Sequence, residues 1–284
     1  MKKVLVTGAH GQLGSELNFV SSLLESHSFT FVSRQDLDIS DESAVRNLFA
    51  AHKFDVLINA AAYTAVDKAE TDSDNAYKIN LDAVGLLATL CKQHGCKFIH
   101  ISTDFVFEGN QAHPLKEDDA VNPTGVYGAS KLAGEELALQ NNSDSLIIRT
   151  SWVYSSFGNN FVKTILRLCK ERESLNVVFD QVGTPTYARD LAQAIIDIIQ
   201  QPDWKPGIYH YSNEGVASWY DFAVAIRDIT GLKTKLGPIE SYQYPTPAVR
   251  PKYSVLNKKK FKDTFGIQVP YWRDSLVACM DSLK

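Results

Sequence analysis

The sequence has little cysteine: four residues in 284, at Cys91, Cys96, Cys169 and Cys279, with no CxxC pair. So sparse a set supplies no disulfide framework and fits a reducing compartment, the cytoplasm. The seven histidines form no HExxH and no tight cluster, so no metal site is expected. An excess of one charge is also missing, since 29 Lys and Arg face 33 Asp and Glu for a formal charge of −4. That balance gives no extended footprint for nucleic acid, and the one basic cluster, KKKFK at 258–262, reads as a solvated surface. Long apolar runs are absent as well. The run in MKKVLVTGAHGQLG stops at a glycine too soon for a secretory signal or a membrane span, so the mature chain is expected to begin near Met1 and to have no membrane partner. No internal repeat or low-complexity tract is evident.

What is present is an ordinary globular composition, 44% hydrophobic and 22% charged, enough at this length for one large domain or two modest ones with a substantial core. Through the first half, strand-length apolar runs alternate with helix-period stretches, the pattern of a parallel sheet covered by helices. KVLVT (3–7) predicts the first strand. GQLGSELNFVSSLLE follows with Leu13, Leu17, Val20, Leu23 and Leu24 at helical spacing, and FTFVS (29–33) returns to strand character. Ser40 is the expected N-cap of a helix reaching about His52. FDVLINAAA (54–62), a helix from about Asp74 to His94, KFIHIST (97–103), the helix YGASKLAGEELALQ and the strand SLIIRTSWVY complete the alternation. Beyond about residue 155 it weakens into NVVFD, RDLAQAIIDIIQQ, GIYHYS and a helix from Ser218 to about Thr230, joined by Pro and Gly turns. The expectation is a Rossmann-type doubly wound α/β sheet over residues 1–154 and a smaller, partly discontinuous substrate lobe over 155–284, with some segments returning to the first domain.

Gly8-Ala9-His10-Gly11-Gln12-Leu13-Gly14 is a GxxGxxG turn directly after a predicted strand and before a helix. Glycines there permit a tight turn and let the backbone approach a pyrophosphate held by helix N-terminal amides, so the context points to a dinucleotide. Asp38 and Ile39, after the second strand, and Ala60, Ala61 and Ala62, after the third, fall where such a cofactor passes. Tyr127 and Lys131 form a YxxxK pair on one face of a predicted helix. An ammonium beside a phenol stabilises the tyrosinate, which makes the phenol a usable proton donor to a carbonyl receiving hydride, and the same lysine can hold ribose hydroxyls. Ser102-Thr103-Asp104 ends a strand nearby.

Together GAHGQLG, NAAAYTAVDKAE, STDFVF, YGASKLAGE and RTSWVY resemble the extended short-chain dehydrogenase/reductase family, and within it the dTDP-4-dehydrorhamnose reductases. The resemblance continues through GNNFVKTILRL, DQVGTPT and YPTPAVRP and covers most of the chain. It implies Tyr127 as proton donor, Lys131 as its electrostatic and ribose-binding partner, and Thr103 as the hydroxyl beside the carbonyl, with Ser102 competing for that last role. Gly11, Gln12, Leu13, Asp38, Ile39, Ala61, Ala62 and Tyr63 match its cofactor-contacting positions, and Thr103, Asp104 and Trp152 its sugar-nucleotide contacts. The implied reaction is NAD(P)H-dependent reduction of the C4 keto group of dTDP-4-dehydro-L-rhamnose to dTDP-L-rhamnose.

The residues add to this. Trp152 follows a strand in a polar context, where its face could pack on a sugar or base, or simply join a core. Arg250, set between prolines in PTPAVRP, suits a diphosphate clamp or a structural salt bridge. Asn159, Asn160 and Phe161 offer amide donors and an apolar wall, or helix caps. No acid ends the second strand, where Ser33 and Arg34 stand, so Arg34 is expected to favour NADPH, with NADH usable. Some relatives are metal-bridged dimers through acidic residues. Glu16 is available here, but Arg189 stands where a second carboxylate is expected and Asp190 is turned about 100° away on a helix, which argues against such a dimer. Two other readings keep the same fold: a nucleotide-sugar epimerase or dehydratase, and a non-catalytic regulatory subunit like the methionine adenosyltransferase beta subunit.

Overall fold

The computed structural model describes residues 1–22, 24 and 27–283. Strand β1 (Lys2–Thr7) leads through the glycine turn into α1 (Gln12–Ser21), then β2 (His27–Val32), α2 (Glu42–Ala51) and β3 (Val56–Asn59). Two short helices, α3 (Val66–Ala69) and α4 (Ser73–Tyr77), precede a π-helical turn at Lys78–Asp82, which runs on into α5 (Ala83–His94). Strand β4 (Lys97–Thr103), helix α6 (Val126–Asn141) and strand β5 (Leu146–Thr150) follow.

The second half adds β6 (Val153–Tyr154), α7 (Phe161–Glu171), β7 (Ser174–Val178), β8 (Val182–Gly183), β9 (Thr186–Tyr187) and α8 (Ala188–Gln200). It closes with β10 (Gly207–His210), β11 (Ala217–Ser218), α9 (Trp219–Thr230), β12 (Lys235–Ile239), α10 (Lys259–Phe265) and α11 (Trp272–Asp281). Among the described residues no helix is long and apolar enough to cross a membrane.

Six strands form one parallel sheet in the order β10-β5-β4-β3-β1-β2. Its central strands are buried on both faces, and the two-residue period divides them between two helical layers. Val4, Val6, Ile58, Ile99 and Ile148 join the core with α1 and α8, whereas Leu5, Leu57, Phe98 and Ile147 join the core with α2 and α5. The chain passes from β1 to β2 on one side and then to β3 on the other. This reversal opens a crevice at the carboxyl ends of β1 and β3, where such sheets bind ligands. A third core gathers α7, α9 and α11 around Phe222, Ile226 and Leu276.

Several local expectations shift. Asp41, not Ser40, caps α2, its carboxylate accepting from the Ala44 amide at 3.0 Å. Ser40 is already engaged, since both its amide and its hydroxyl donate to Asp38. The helix expected over 74–94 carries the π-turn, while the stretch SLIIRTSWVY divides between β5 and β6, which lie in different sheets. Of the apolar positions assigned to the first helix, Leu23 lies outside the described residues. The basic cluster at 258–262 is no simple solvated patch, because Lys258 is buried against Glu214 and Phe261 enters the core of the main sheet.

Helix α6 lies almost flush on its neighbours. A Cβ at Gly128 would collide with the Phe105 carbonyl, and one at Gly134 with the Asn80 carbonyl in the π-turn. Asn80 also donates to Ser130 on α6 and to the Tyr63 carbonyl, tying the loop after β3 to the same helix. Gly134→Ala is expected to lower stability by about 1–3 kcal/mol, because the obstructing atom is backbone and cannot rotate away. Urea unfolding measures this, and an unchanged midpoint would show that the helix can move off without cost.

Candidate active site

The crevice is a cleft of about 1200 Å³, walled by the glycine turn, the loops after β2 and β3, the end of β4, the start of α6 and parts of the second half of the chain. At its glycine end Gly8 adopts φ +71°, and a Cβ there would come within 2.7 Å of the Ala60 and Ala61 backbone. Gly14 is pressed against the Gly8 carbonyl, where a Cβ would not fit. Gly11 is the N-cap of α1 and has no side chain to satisfy the helix's first amides, so they remain available to an anion. This cradle suits the pyrophosphate of a dinucleotide.

Beside it, Gln12 is held by Asn160, whose Nδ2 donates to Oε1 at 2.9 Å, while Asn160 Oδ1 caps α7 by accepting from the Lys163 amide at 3.1 Å. Asn160 therefore both caps a helix and reaches the cleft. In the loop after β2, Ser33 donates to Asp36, and Arg34, with its side chain 79% exposed, contacts Asp38 at 3.3 Å. Arg34, Asp38, Ile39, Ala61 and Ala62 all line the cleft. Two expected cofactor positions are not part of its wall: Gly14 lies beneath the turn, and Tyr63 directs its hydroxyl to Asp72 at 3.0 Å while its amide donates to Asn80.

Thr103, Asp104, Tyr127 and Lys131 meet at the cleft floor. Thr103 Oγ1 donates to Asp104 Oδ1 at 3.1 Å and accepts from the Phe105 amide, and the same hydroxyl faces the Tyr127 phenol. Of Ser102 and Thr103, the threonine is the one that meets the tyrosine. Burial pushes the Tyr127 phenol up to about 12, Thr103 drawing it back and Asp104 adding to the rise. The expected lowering of the phenol by Lys131 is not what this arrangement gives: loss of hydration raises the phenol, and the lysine is turned elsewhere. Its Nζ donates to the Ile101 carbonyl at 2.6 Å. Burial also lowers Lys131 to about 8, against the attraction of Glu135, and raises Asp104 to about 6. Glu135 itself is buried in a bidentate pair with Arg149.

Opposite, Trp152 is the one non-glycine residue with positive φ, +47°, among the described residues. Its ring stacks on Trp219, the centroids 3.6 Å apart and the planes 8° from parallel. Both line the cleft. Strained backbone held by such a stack belongs to a built surface rather than a core filler. Arg250 also reaches the cleft but is engaged in a bidentate pair with Asp67, at 3.0 and 2.7 Å, and donates to Thr246. Asp67 and Trp219 were not singled out from the sequence. Asp67 sits inside NAAAYTAVDKAE, where its spacing to Tyr63 could have marked it, whereas nothing local marks Trp219. Glu16 accepts from Arg189 at 2.8 Å and from Ser155, and Asp190 faces Asn213 and Ser275 instead.

The model of the RmlD substrate binding domain family matches residues 1–284. The chain belongs to this family. It is 43% identical to the spore coat polysaccharide biosynthesis protein SpsK of Bacillus subtilis, over 97% of this chain and 96% of that protein. It is 41% identical to the dTDP-4-dehydrorhamnose reductase of Aggregatibacter actinomycetemcomitans, over 97% of each chain. The solved dTDP-4-dehydrorhamnose reductase of Bacillus anthracis, in complex with NADP, is 37% identical and superimposes with a TM-score of 0.94 over 99% of this chain and all of that one.

The tryptophan stack is testable without any ligand. Trp219→Ala is expected to abolish the exciton-coupled circular dichroism of the pair and to lower stability by at least the 0.5–1.5 kcal/mol of an aromatic contact. An unchanged spectrum would mean that the rings are not stacked in solution.

Proposed function

We propose that this protein is an NADPH-dependent reductase of the C4 keto group of dTDP-4-dehydro-6-deoxy-L-mannose, giving dTDP-L-rhamnose. The observation that carries this reading is the Tyr127 phenol set against Thr103 at the floor of a cleft whose other end is a pyrophosphate cradle. In this reading residues 1–154 hold the cofactor and the Tyr–Lys helix, and 155–284 serve mainly the substrate. The dTDP-sugar is the small-molecule partner, and the free thiols suit the cytoplasm.

The amides leading α1, with Gly8, Gly11, Gln12 and Leu13, would hold the pyrophosphate. Asp38 and Ile39 would border the adenine, Ala61 and Ala62 would leave room along the backbone, and the exposed Arg34 is free to turn to a 2′-phosphate. The bound cofactor supplies the hydride. Lys131 holds the ribose hydroxyls, and Tyr127 gives its proton to the C4 oxygen. Thr103 orients that oxygen, Asp104 takes a sugar hydroxyl, Trp152 offers a flat face to the sugar nucleotide, and Asn160 and Arg250 complete its polar frame.

Against the dehydratase reading, the residue after Asp104 is Phe105, packed edge-on to Tyr127 with centroids 5.5 Å apart, so no second carboxylate stands there. A purely regulatory subunit would have no need of an intact Thr103, Tyr127 and Lys131. The deciding experiment is NADPH oxidation with the 4-keto sugar nucleotide and identification of the product. Turnover to a 4-hydroxy sugar supports the reading, and a dehydrated or epimerised product rejects it.

Tyr127→Phe keeps the ring and removes the proton, so turnover should fall about 10²-fold or more while NADPH affinity changes little. Near-normal turnover would remove Tyr127 from the mechanism. For coenzyme choice, a charge-assisted contact of about 1 kcal/mol from Arg34 corresponds to roughly a fivefold preference for NADPH over NADH. The ratio of kcat/KM values for the two coenzymes should contract toward unity in Arg34→Ala, and an unchanged ratio would place selectivity elsewhere.

A further inference from the structure

Behind Lys131 runs a row of buried polar side chains that the proposed reaction does not use. His100 Nε2 lies 3.3 Å from Lys131 Nζ, the other ring nitrogen lies 3.0 Å from the Asn59 amide nitrogen, and the Asn59 oxygen meets Thr7 Oγ1 at 2.6 Å. Thr7, Asn59 and His100 are each 0% exposed. They are register partners on three adjacent strands, Thr7 opposite Asn59 and Asn59 opposite His100, so the row crosses the sheet straight toward the lysine. The rows before it are apolar: Val6, Ile58 and Ile99, then Leu5, Leu57 and Phe98. A fully buried polar row at this place is costly unless its members pair with one another and with something that matters.

We propose that His100, backed by Asn59 and Thr7, is the positioning residue for Lys131, accepting a hydrogen bond from its ammonium at Nε2 and carrying the ring proton on Nδ1. The proposal rests on the reading of Lys131 as the cation at the ribose. An amide can face Nδ1 with either end, because its oxygen and nitrogen have the same shape. Nitrogen toward the ring leaves the proton on Nε2, facing the ammonium donor to donor. Oxygen toward the ring gives an acceptor to each donor between the lysine and Thr7, Lys131 to His100, His100 to Asn59 and Asn59 to Thr7, and turns the Thr7 hydroxyl from donor to acceptor of the Asn59 amide. The ring stays neutral, since burial and then Lys131 hold its pKa well below the ordinary value. The charged group acting on Lys131 is Glu135 on the same helix, already paired with Arg149 from β5. His100 is thus the one neutral acceptor side chain that Lys131 meets among the described residues.

Removing that acceptor disfavours the ammonium and lowers the lysine pKa. Activity needs the charged form and is lost as pH rises through the lysine pKa, so the alkaline limb of kcat/KM, near 8 in the wild type, should move to lower pH in His100→Leu, by about one unit. The NADPH dissociation constant should rise about tenfold in parallel. His100→Gln restores an acceptor and should recover most of both. Asn59→Asp, which can only accept at this position, should leave the limb at or above the wild-type pH. Nitrogen-15 NMR of the wild type should show Nδ1–H at His100. An Nε2–H tautomer, or a folded His100→Leu protein with unchanged limb and NADPH affinity, overturns the proposal. If His100→Leu does not fold, the tautomer and the Asn59→Asp profile still decide. Failure of the wild type to reduce the sugar would reject the reaction and leave the tautomer and NADPH measurements to judge His100.

Discussion

Contact of backbone on backbone beneath α6 is the constraint from which the site follows. With no side chain at Gly128 or Gly134, the helix rests on the Phe105 and Asn80 carbonyls, and its first turn arrives directly beside the end of β4. Tyr127 then faces Thr103, and one turn on Lys131 reaches the Ile101 carbonyl. A methyl group at either glycine would lift the helix, and every distance at the cleft floor would lengthen together. The π-turn belongs to the same fitting, because its extra residue brings Asn80 round to bind Ser130 and the backbone at Tyr63. Helix, strand end and loop are held in one frame.

Within that frame, loss of hydration is the common electrostatic cause. It raises Tyr127 and Asp104 and lowers Lys131, each toward its uncharged form. The acid and the lysine at the floor of the cleft thus carry their charges at a cost, beside a phenol that keeps its proton. The buried charges nearby, Glu135 and Arg149, neutralise each other in bidentate contact. Groups buried in this way feel strongly a charge that develops beside them, because the surrounding protein screens it less than water does.

Much of this was legible in the sequence. The strand–turn–helix context of Gly8, Gly11 and Gly14 and the four-residue spacing of Tyr127 and Lys131 are local signals, and local signals survive folding. The alternating first half likewise announced the doubly wound sheet. What was not legible depends on neighbours distant in sequence. Nothing near His100 shows that it stands in register with Asn59 and Thr7, since register emerges only when three strands pair. Trp219 meets Trp152 across 67 positions because α9 folds back over the cleft. The phenol's high pKa reflects enclosure by several segments at once, which a motif cannot express. The displaced cap at Asp41 is a smaller case, where Asp38 claimed Ser40 first.

The pairing of Arg250 with Asp67 sets a condition on any anion that would use this guanidinium. Any anion that engages this guanidinium has to replace a carboxylate already in bidentate contact, so the outcome depends on a difference between two acceptors and not on the strength of one. A simple carboxylate replaces like with like and gains nothing. A group with more charge and more acceptor oxygens would win the exchange, and would free both Asp67 and the Ala248 amide that it holds.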